Sequence, residues 1–82
     1  MYKATLRITL RPSILDPQGK AVHHALHNLG YDAVEDVRAG KLVELRIATD
    51  DRAEAERIAT EAGQKLLANE VMEDFTVEVE EA

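Results

Sequence analysis

Three histidines close together in the sequence are the side chains best suited to metal chemistry. His23 and His27 are four residues apart, so on a helix they share one face at a spacing that can hold two metal ligands. No glutamate follows His23 as it does in zinc proteases, and the sequence shows no evident third ligand. We therefore predict that these two residues and His24 are solvated on an outer helix face and bind no metal.

Two pairs of adjacent carboxylates, Glu35-Asp36 and Glu73-Asp74, are the other candidates, because paired acids can act as general acid and base. Each pair stands near the predicted start of a strand. Neighbouring residues of a strand point to opposite faces of the sheet, which separates the two carboxylates of a pair. We therefore interpret both pairs as structural or recognition elements and predict no catalytic residue.

Composition removes further classes of site. The 82 residues contain no cysteine, which excludes disulfides, thiolate metal sites and cysteine nucleophiles. The four glycines form no phosphate-binding loop, so no cofactor is predicted to bind this chain. A net charge of −6 opposes nonspecific binding to nucleic acid or to an anionic membrane. With no long apolar run and no signal peptide, the chain is predicted to be cytoplasmic and to form one domain over residues 1–82.

Hydrophobic periodicity places these residues on alternating strands and helices. Tyr2–Leu10 alternates apolar and polar residues and is predicted to be a half-buried strand. Asp16-Pro17 is typical of a helix start, and Gly30 is typical of the position just after a helix end. Tyr31–Arg38 is predicted to be a short second strand, closed by a turn at Ala39-Gly40. The apolar face of this first helix consists of Val22, Ala25, Leu26 and Leu29.

The second half of the chain repeats this order. Val43–Ile47 alternates as a third strand, and Asp50 and Asp51 begin a second helix, since carboxylates favour the positive end of the helix dipole. Phe75–Val79 alternates again as the closing strand. The predicted buried stripe of the second helix is Ala55, Ile58, Ala59, Ala62 and Leu66.

The order β-α-β-β-α-β is consistent with a duplicated unit. Ala33–Val37 aligns with Val71–Phe75, and the first strand aligns with the third. Such a duplication predicts an α+β fold related to the ferredoxin-like type, with an antiparallel sheet and both helices on one face. The other face carries cations of the first strand beside carboxylates of its neighbours, so it is polar and nearly neutral.

Other modules of this type have requirements that can be checked. RNA-binding versions need stacking aromatic residues on the central strands, where this chain has polar ones such as Arg7 and Glu44. Metal-carrier versions need paired cysteines. A free-standing regulatory domain that binds a small ligand stays open as an alternative, because such sites form between chains and leave little trace in the sequence.

Two segments resemble the PurS family, the small subunit of formylglycinamidine ribonucleotide (FGAM) synthase. They are LDPQGKAVHHALHNLGYDAVEDVRAGK, from Leu15 to Lys41, and LLANEVMEDFTVEVEE, from Leu66 to Glu81. Together with the length, they extend the resemblance over essentially the whole chain. The chain departs from the family pattern at Glu70, where proline is frequent, and at Phe75, where tyrosine is frequent.

The resemblance implies a non-catalytic subunit of an ATP-dependent, glutamine-dependent ligase in purine biosynthesis. In the family, a glutaminase subunit releases ammonia and a large synthetase subunit uses ATP and Mg to activate the substrate amide. The small subunit bridges these two partners and supports ammonia transfer. The resemblance also implies a homodimer that can pair again into a tetramer.

Contacts with partner chains or with a second copy are expected at two surface segments and on the closing strand. We expect the sheet to continue across the homodimer. The candidate interface residues are Arg38, Gly40, Lys41, Leu67, Asn69, Phe75 and Val77.

Overall fold

The computed structural model describes all 82 residues and contains one three-stranded sheet and two α-helices. Strands β2 and β3 both pair antiparallel with β1, which is central, so the α+β class with an antiparallel sheet is confirmed. The elements are β1 (Tyr2–Leu10), α1 (Pro17–Asn28), β2 (Gly40–Ile47), α2 (Arg52–Ala62), a π-helical turn (Gly63–Leu67) and β3 (Glu73–Glu81). The helices of this fold are too short and too polar to cross a membrane.

The core lies between α2 and one face of the sheet. Alternate β1 residues Ala4, Leu6 and Ile8 are completely buried there, as the period of two predicts. Ala55 and Ala59 of α2 are also completely buried. Their small side chains allow the helix backbone to approach the larger residues of the strand.

The predicted second strand, Tyr31–Arg38, does not form, so the sheet has three strands where the sequence predicted four. Thr9 pairs directly with Gly40, which makes residues 11–39 one long connection between the antiparallel strands β1 and β2. We call this connection the arm. Some of its backbone groups bond to side chains of the arm and not to the sheet: the Val34 carbonyl bonds to His23, and the Ala39 N–H donates to Asp16.

Helix α1 lies in the arm and has no substantial contact with the sheet or with α2. The prediction that both helices cover one face of the sheet is therefore correct for α2 and wrong for α1. The arm gives the molecule an extended shape, 49 × 26 × 14 Å. Its radius of gyration is 16.1 Å, whereas a compact chain of this length would have about 12 Å.

The predicted burial of Leu66, just after α2, is wrong, since the exposed fraction of this residue is 81%. The last turn is π-helical, and each such turn adds a residue and shifts the buried face. Leu67 packs against the core in place of Leu66. A Cβ atom on Gly63 would lie 2.6 Å from the Phe75 ring, so a glycine at the start of the π-helical turn lets β3 approach closely.

Candidate functional site at the base of the arm

Both surface segments that the sequence indicated lie at one end of the sheet, where β1 ends and β2 and β3 begin. Arg38–Lys41 leads from the arm into β2, and Leu67–Asn69 leads from the π-helical turn toward β3. Lys41 Nζ of β2 lies 3.8 Å from Glu73 Oε1 of β3. We call this region, formed by Arg11, Asp16, Arg38–Lys41 and Asn69–Asp74, the arm base.

Asp16 fastens the two ends of the arm to each other. It is buried and caps α1, where Oδ1 accepts a hydrogen bond of 2.9 Å from the backbone N–H of Gly19. Its Oδ2 accepts a second bond of 2.8 Å from the N–H of Ala39. These two backbone hydrogen bonds, helped by the charge of Arg38, lower the pKa of the Asp16 carboxyl below its usual range despite burial. The carboxylate is therefore committed to the fold and is not a general acid.

Arg38, near the end of the arm, binds backbone carbonyl groups at its beginning. Its Nη2 donates to the carbonyl oxygens of Leu10, at 2.7 Å, and Arg11, at 2.8 Å. A third, longer contact of 3.4 Å joins Nη1 to the carbonyl of Ile14. A planar guanidinium with several fixed donors suits such a set of diverging carbonyls.

Arg11 connects the arm to the start of β3. Its backbone N–H donates to the carbonyl of Met72 at 2.9 Å, and its guanidinium donates to the carbonyl of Glu70. The Nε atom lies 3.4 Å from Asp74 Oδ1. Through Arg11 and Arg38, three separate chain segments are joined at the arm base.

A local turn shapes the approach to β3. Asn69 Oδ1 accepts from the N–H groups of Val71 and Met72, and the N–H of Asn69 donates to Glu73 Oε1 at 2.8 Å. This pattern is an Asx turn, which asparagine favours because its side chain imitates a backbone carbonyl. Asn69 thus has a structural reason to be where it is, beside any role in binding.

An open cavity of about 480 Å³ lies beside the arm base. Its lining includes the carboxylates of Glu70, Glu73 and Asp74 and one cation, Arg11, which is already paired with Asp74. Such a surface repels a triphosphate, because the negative charges outnumber the positive one. The residues present therefore do not fit ATP.

The histidines stabilise the arm internally. His23 Nε2 lies 2.7 Å from the carbonyl oxygen of Val34, and His27 Nδ1 lies 3.0 Å from Asp32 Oδ1. The prediction of a solvated face is correct for His24 and His27, whereas His23 is half-buried. No group of three or more His, Cys, Asp or Glu residues is arranged to hold a metal ion.

The remaining candidate residues have structural surroundings of their own. Leu67, Phe75 and Val77 pack partly buried against the core. Gly40 lies against β1, where a Cβ atom would come within 2.5 Å of the Ile8 carbonyl oxygen. The two carboxylate pairs are not combined into one site, since Glu35-Asp36 lies in the arm and Glu73-Asp74 begins β3. That the candidate interface residues contact partner subunits or a second copy stays a prediction.

The sequence did not indicate that Arg11 joins the arm to the start of β3, and it indicated Asp16 only as a helix cap. An arginine at a strand end followed by proline is one weak signal for Arg11, because proline stops the strand and leaves the side chain at its exposed end. No signal in the sequence marks the second hydrogen bond of Asp16, which joins residues far apart in the chain.

A comparison with protein families decides between the PurS resemblance and the alternative of a free-standing regulatory domain. The family model described as PurS, phosphoribosylformylglycinamidine (FGAM) synthase, matches residues 3–81. The chain belongs to the PurS family. This match includes the arm, its base and all three strands.

Individual PurS proteins agree with this assignment. The PurS subunit of phosphoribosylformylglycinamidine synthase from Bacillus subtilis is 51% identical over 81 residues, covering 99% of this chain and 95% of that protein. The crystal structure of Methanocaldococcus jannaschii PurS has a TM-score of 0.88 at 34% identity and covers 100% of this chain and 99% of that one. A chain of the PurLQS structure from Thermotoga maritima has a TM-score of 0.87 at 25% identity, with 96% of each chain covered.

Proposed function

We propose that this chain is the non-catalytic small subunit of FGAM synthase in purine biosynthesis. In this role it bridges the glutaminase and synthetase subunits and supports the transfer of ammonia between them. The observation that carries the proposal is the end-to-end match to PurS subunits, one of which is part of the PurLQS structure. The whole of residues 1–82 would act as one PurS-like domain in the cytoplasm.

The side chains at the arm base support a role without chemistry of its own. The carboxylate of Asp16 and the guanidinium groups of Arg11 and Arg38 are all engaged in contacts within the chain. The cavity beside them is lined by acids and is poorly suited to a nucleotide. ATP and Mg would accordingly be bound by the synthetase subunit. We propose the arm base, with Lys41 half-exposed at its edge, as a surface for partner subunits.

Reconstitution tests this proposal. Adding the chain to the glutaminase and synthetase subunits should restore glutamine-dependent FGAM synthesis, while synthesis supplied with ammonium chloride should need the synthetase alone. Lys41→Glu should weaken assembly of the complex, and Lys20→Glu, a charge reversal on the exposed face of α1, should not. The isolated chain should hydrolyse neither ATP nor glutamine.

Two results would contradict the proposal. One is ATP hydrolysis by the purified chain, and the other is full glutamine-dependent synthesis without it. Tight binding of an amino acid or nucleotide by the isolated chain would favour the regulatory alternative.

A further inference from the structure

Three large apolar side chains are exposed in the short connection between α2 and β3. The exposed fraction is 81% for Leu66, 77% for Val71 and 42% for Met72. Outside the arm, the other large apolar side chains with comparable exposure stand singly. Scattered exposed apolar residues are ordinary, whereas a group of them is typical of an interaction surface. We call this segment, from Leu66 to Asp74, the corner.

Two local structures turn these side chains outward. The π-helical turn places Leu67 against the core and leaves Leu66 in solvent. Turns of this kind occur frequently at functional sites. In the Asx turn, Asn69 Oδ1 accepts hydrogen bonds from the N–H groups of Val71 at 2.9 Å and Met72 at 3.2 Å. The exposed residues are therefore held in defined backbone conformations.

Arg11 fixes the corner from the side of β1. Its backbone N–H donates to the carbonyl of Met72 at 2.9 Å, and its guanidinium donates to the carbonyl of Glu70. The backbone of the corner is thus ordered before any partner binds. Apolar side chains on such a backbone lose less conformational entropy on binding than those of a flexible loop.

The charges beside the corner select the kind of partner. The open cavity of about 480 Å³ is lined by three carboxylates and one cation. Asp74 is paired with that cation, Arg11, at 3.4 Å, and Glu73 is paired with Lys41 at 3.8 Å. The third carboxylate, Glu70, is exposed and forms no ion pair. A cation from outside the chain is therefore the charge that this cavity lacks.

We propose that the corner binds a segment of a partner subunit in which apolar side chains stand next to a lysine or arginine. The apolar side chains cover Leu66, Val71 and Met72, and the cation enters the cavity and reaches the Glu70 carboxylate. This inference rests on the proposed function, and it names the part of the arm base that a partner contacts and extends it to Leu66. Arginine beside apolar anchors is a frequent composition of the residues that dominate binding energy.

A second copy of the chain is a poor occupant of the corner. A two-fold contact would bring the same surface of both copies together, and with it the unpaired Glu70 carboxylates. Juxtaposed like charges disfavour a wrong partner. The net charge of −6 on each chain adds to this repulsion.

Serine substitutions test the apolar part of the surface. Leu66→Ser/Val71→Ser changes two exposed side chains, so its melting temperature and its sedimentation should match those of the parent. With the glutaminase and synthetase subunits at fixed concentration, half-maximal glutamine-dependent synthesis should need roughly tenfold more of this variant than of the parent. The rate at saturating concentration should equal that of the parent, because the corner takes no part in the chemistry.

Charge reversal tests the cation. Glu70→Lys should also raise the half-maximal concentration by roughly tenfold, since an attraction becomes a repulsion. Glu54→Lys makes the same change in the first turn of α2, at the other end of that helix, and is the matched control. It should follow the parent.

Photochemical cross-linking gives an independent readout. Because the chain has no cysteine, Leu66→Cys can be labelled at a single place with benzophenone maleimide. In the assembled complex the labelled chain should cross-link to a partner subunit, and labelled Glu54→Cys should not. The peptide captured should contain a lysine or arginine beside apolar residues.

The outcomes separate this inference from the proposed function. If either the serine variant or Glu70→Lys titrates like the parent, the inference is overturned and the proposed function stands. A cross-link from Leu66→Cys to a second copy, or to an acidic segment, would also overturn it. A parent chain that supports no glutamine-dependent synthesis would overturn both.

Discussion

The two helices of this chain begin alike and end in different surroundings. Asp16 caps α1 and Asp51 caps α2, in each case by accepting a hydrogen bond from a backbone N–H of the first turn. Helix α2 packs on the sheet and buries alanines completely, whereas Gly19 is the only buried residue of α1. An amphipathic pattern therefore predicts that a helix forms, but not which surface its apolar face will meet.

Different forces hold the two regions in place. The body, formed by the sheet and α2, is stabilised by apolar burial around Leu6 and Ile8. The arm is fastened by hydrogen bonds between side chains and backbone groups: Asp16 accepts them from N–H groups, whereas Arg38 and His23 bond to carbonyl oxygens. The bonds of Asp16 and His23 lie within the arm, and Arg38 joins the arm to the carbonyl of Leu10 on the body. Because hydrogen bonds depend on angle and distance, these contacts fix the arm without a core of its own.

Removing apolar volume should distinguish the two regions most strongly. Leu6→Ala removes a completely buried side chain of the body and should lower the free energy of unfolding by about 3 kcal/mol. Val22→Ala removes a side chain of α1 that is 43% exposed and should cost less than about 0.5 kcal/mol in the isolated chain. Urea denaturation at one fixed protein concentration measures both values. Equal losses would mean that the arm shares the core of the body.

Alanine substitutions at two glycines separate destabilisation by steric contact from destabilisation by backbone conformation. Gly63→Ala places a methyl group against Phe75 and Leu6 and should cost about 2 kcal/mol through overpacking. Gly30→Ala meets no neighbour but occupies a φ of +94°, and should cost about 1 kcal/mol through backbone strain.

A second substitution checks the assigned cause. Phe75→Leu should recover part of the loss of Gly63→Ala in a double-mutant cycle and should not affect Gly30→Ala. Thermal unfolding of the three single variants and the two double variants gives both comparisons. An unchanged loss in the Gly63→Ala/Phe75→Leu chain would show that the ring is not the obstacle.

Local signals in the sequence were sufficient for most of the elements. Strand Tyr2–Leu10 and the alternating segments that became β2 and β3 follow from their period of two. The start of α1 at Asp16-Pro17 and the left-handed Gly30 follow from capping rules. Each of these features depends on interactions between residues close in sequence.

The features that the sequence did not predict depend on competition between distant segments. Residues 33–37 resemble residues 71–75, yet only the second segment leads directly into a strand. In the first, the Val34 carbonyl accepts from His23 and the Arg38 side chain binds the carbonyl of Leu10 at the end of β1, and these contacts hold the segment outside the sheet. The shifted burial of Leu66 likewise depends on a π-helical turn that no periodic pattern indicates. The arm base was not predicted for the same reason, since Arg11 contacts Glu70 and Asp74, which are far from it in the sequence.

Acid should weaken the arm before it affects the body, because Asp16 joins both ends of the arm. Its pKa is lowered in the folded chain by hydrogen bonds from Gly19 and Ala39, so its contribution to stability is fully present above the ordinary aspartate pKa of about 3.9. That contribution is lost as the pH falls from there through the lowered pKa.

Asp16→Asn should therefore be less stable than the parent at neutral pH, and the difference should shrink as the pH falls below about 4. Hydrogen exchange at the Gly19 and Ala39 amides should show local opening of the arm in the variant. Glu35→Gln, an exposed change in the same arm, serves as the control and should follow the parent at every pH. If the difference between Asp16→Asn and the parent stayed constant on acidification, the carboxylate charge would have no part in holding the arm, and the contrast between a hydrogen-bonded arm and an apolar body would fail at its central residue.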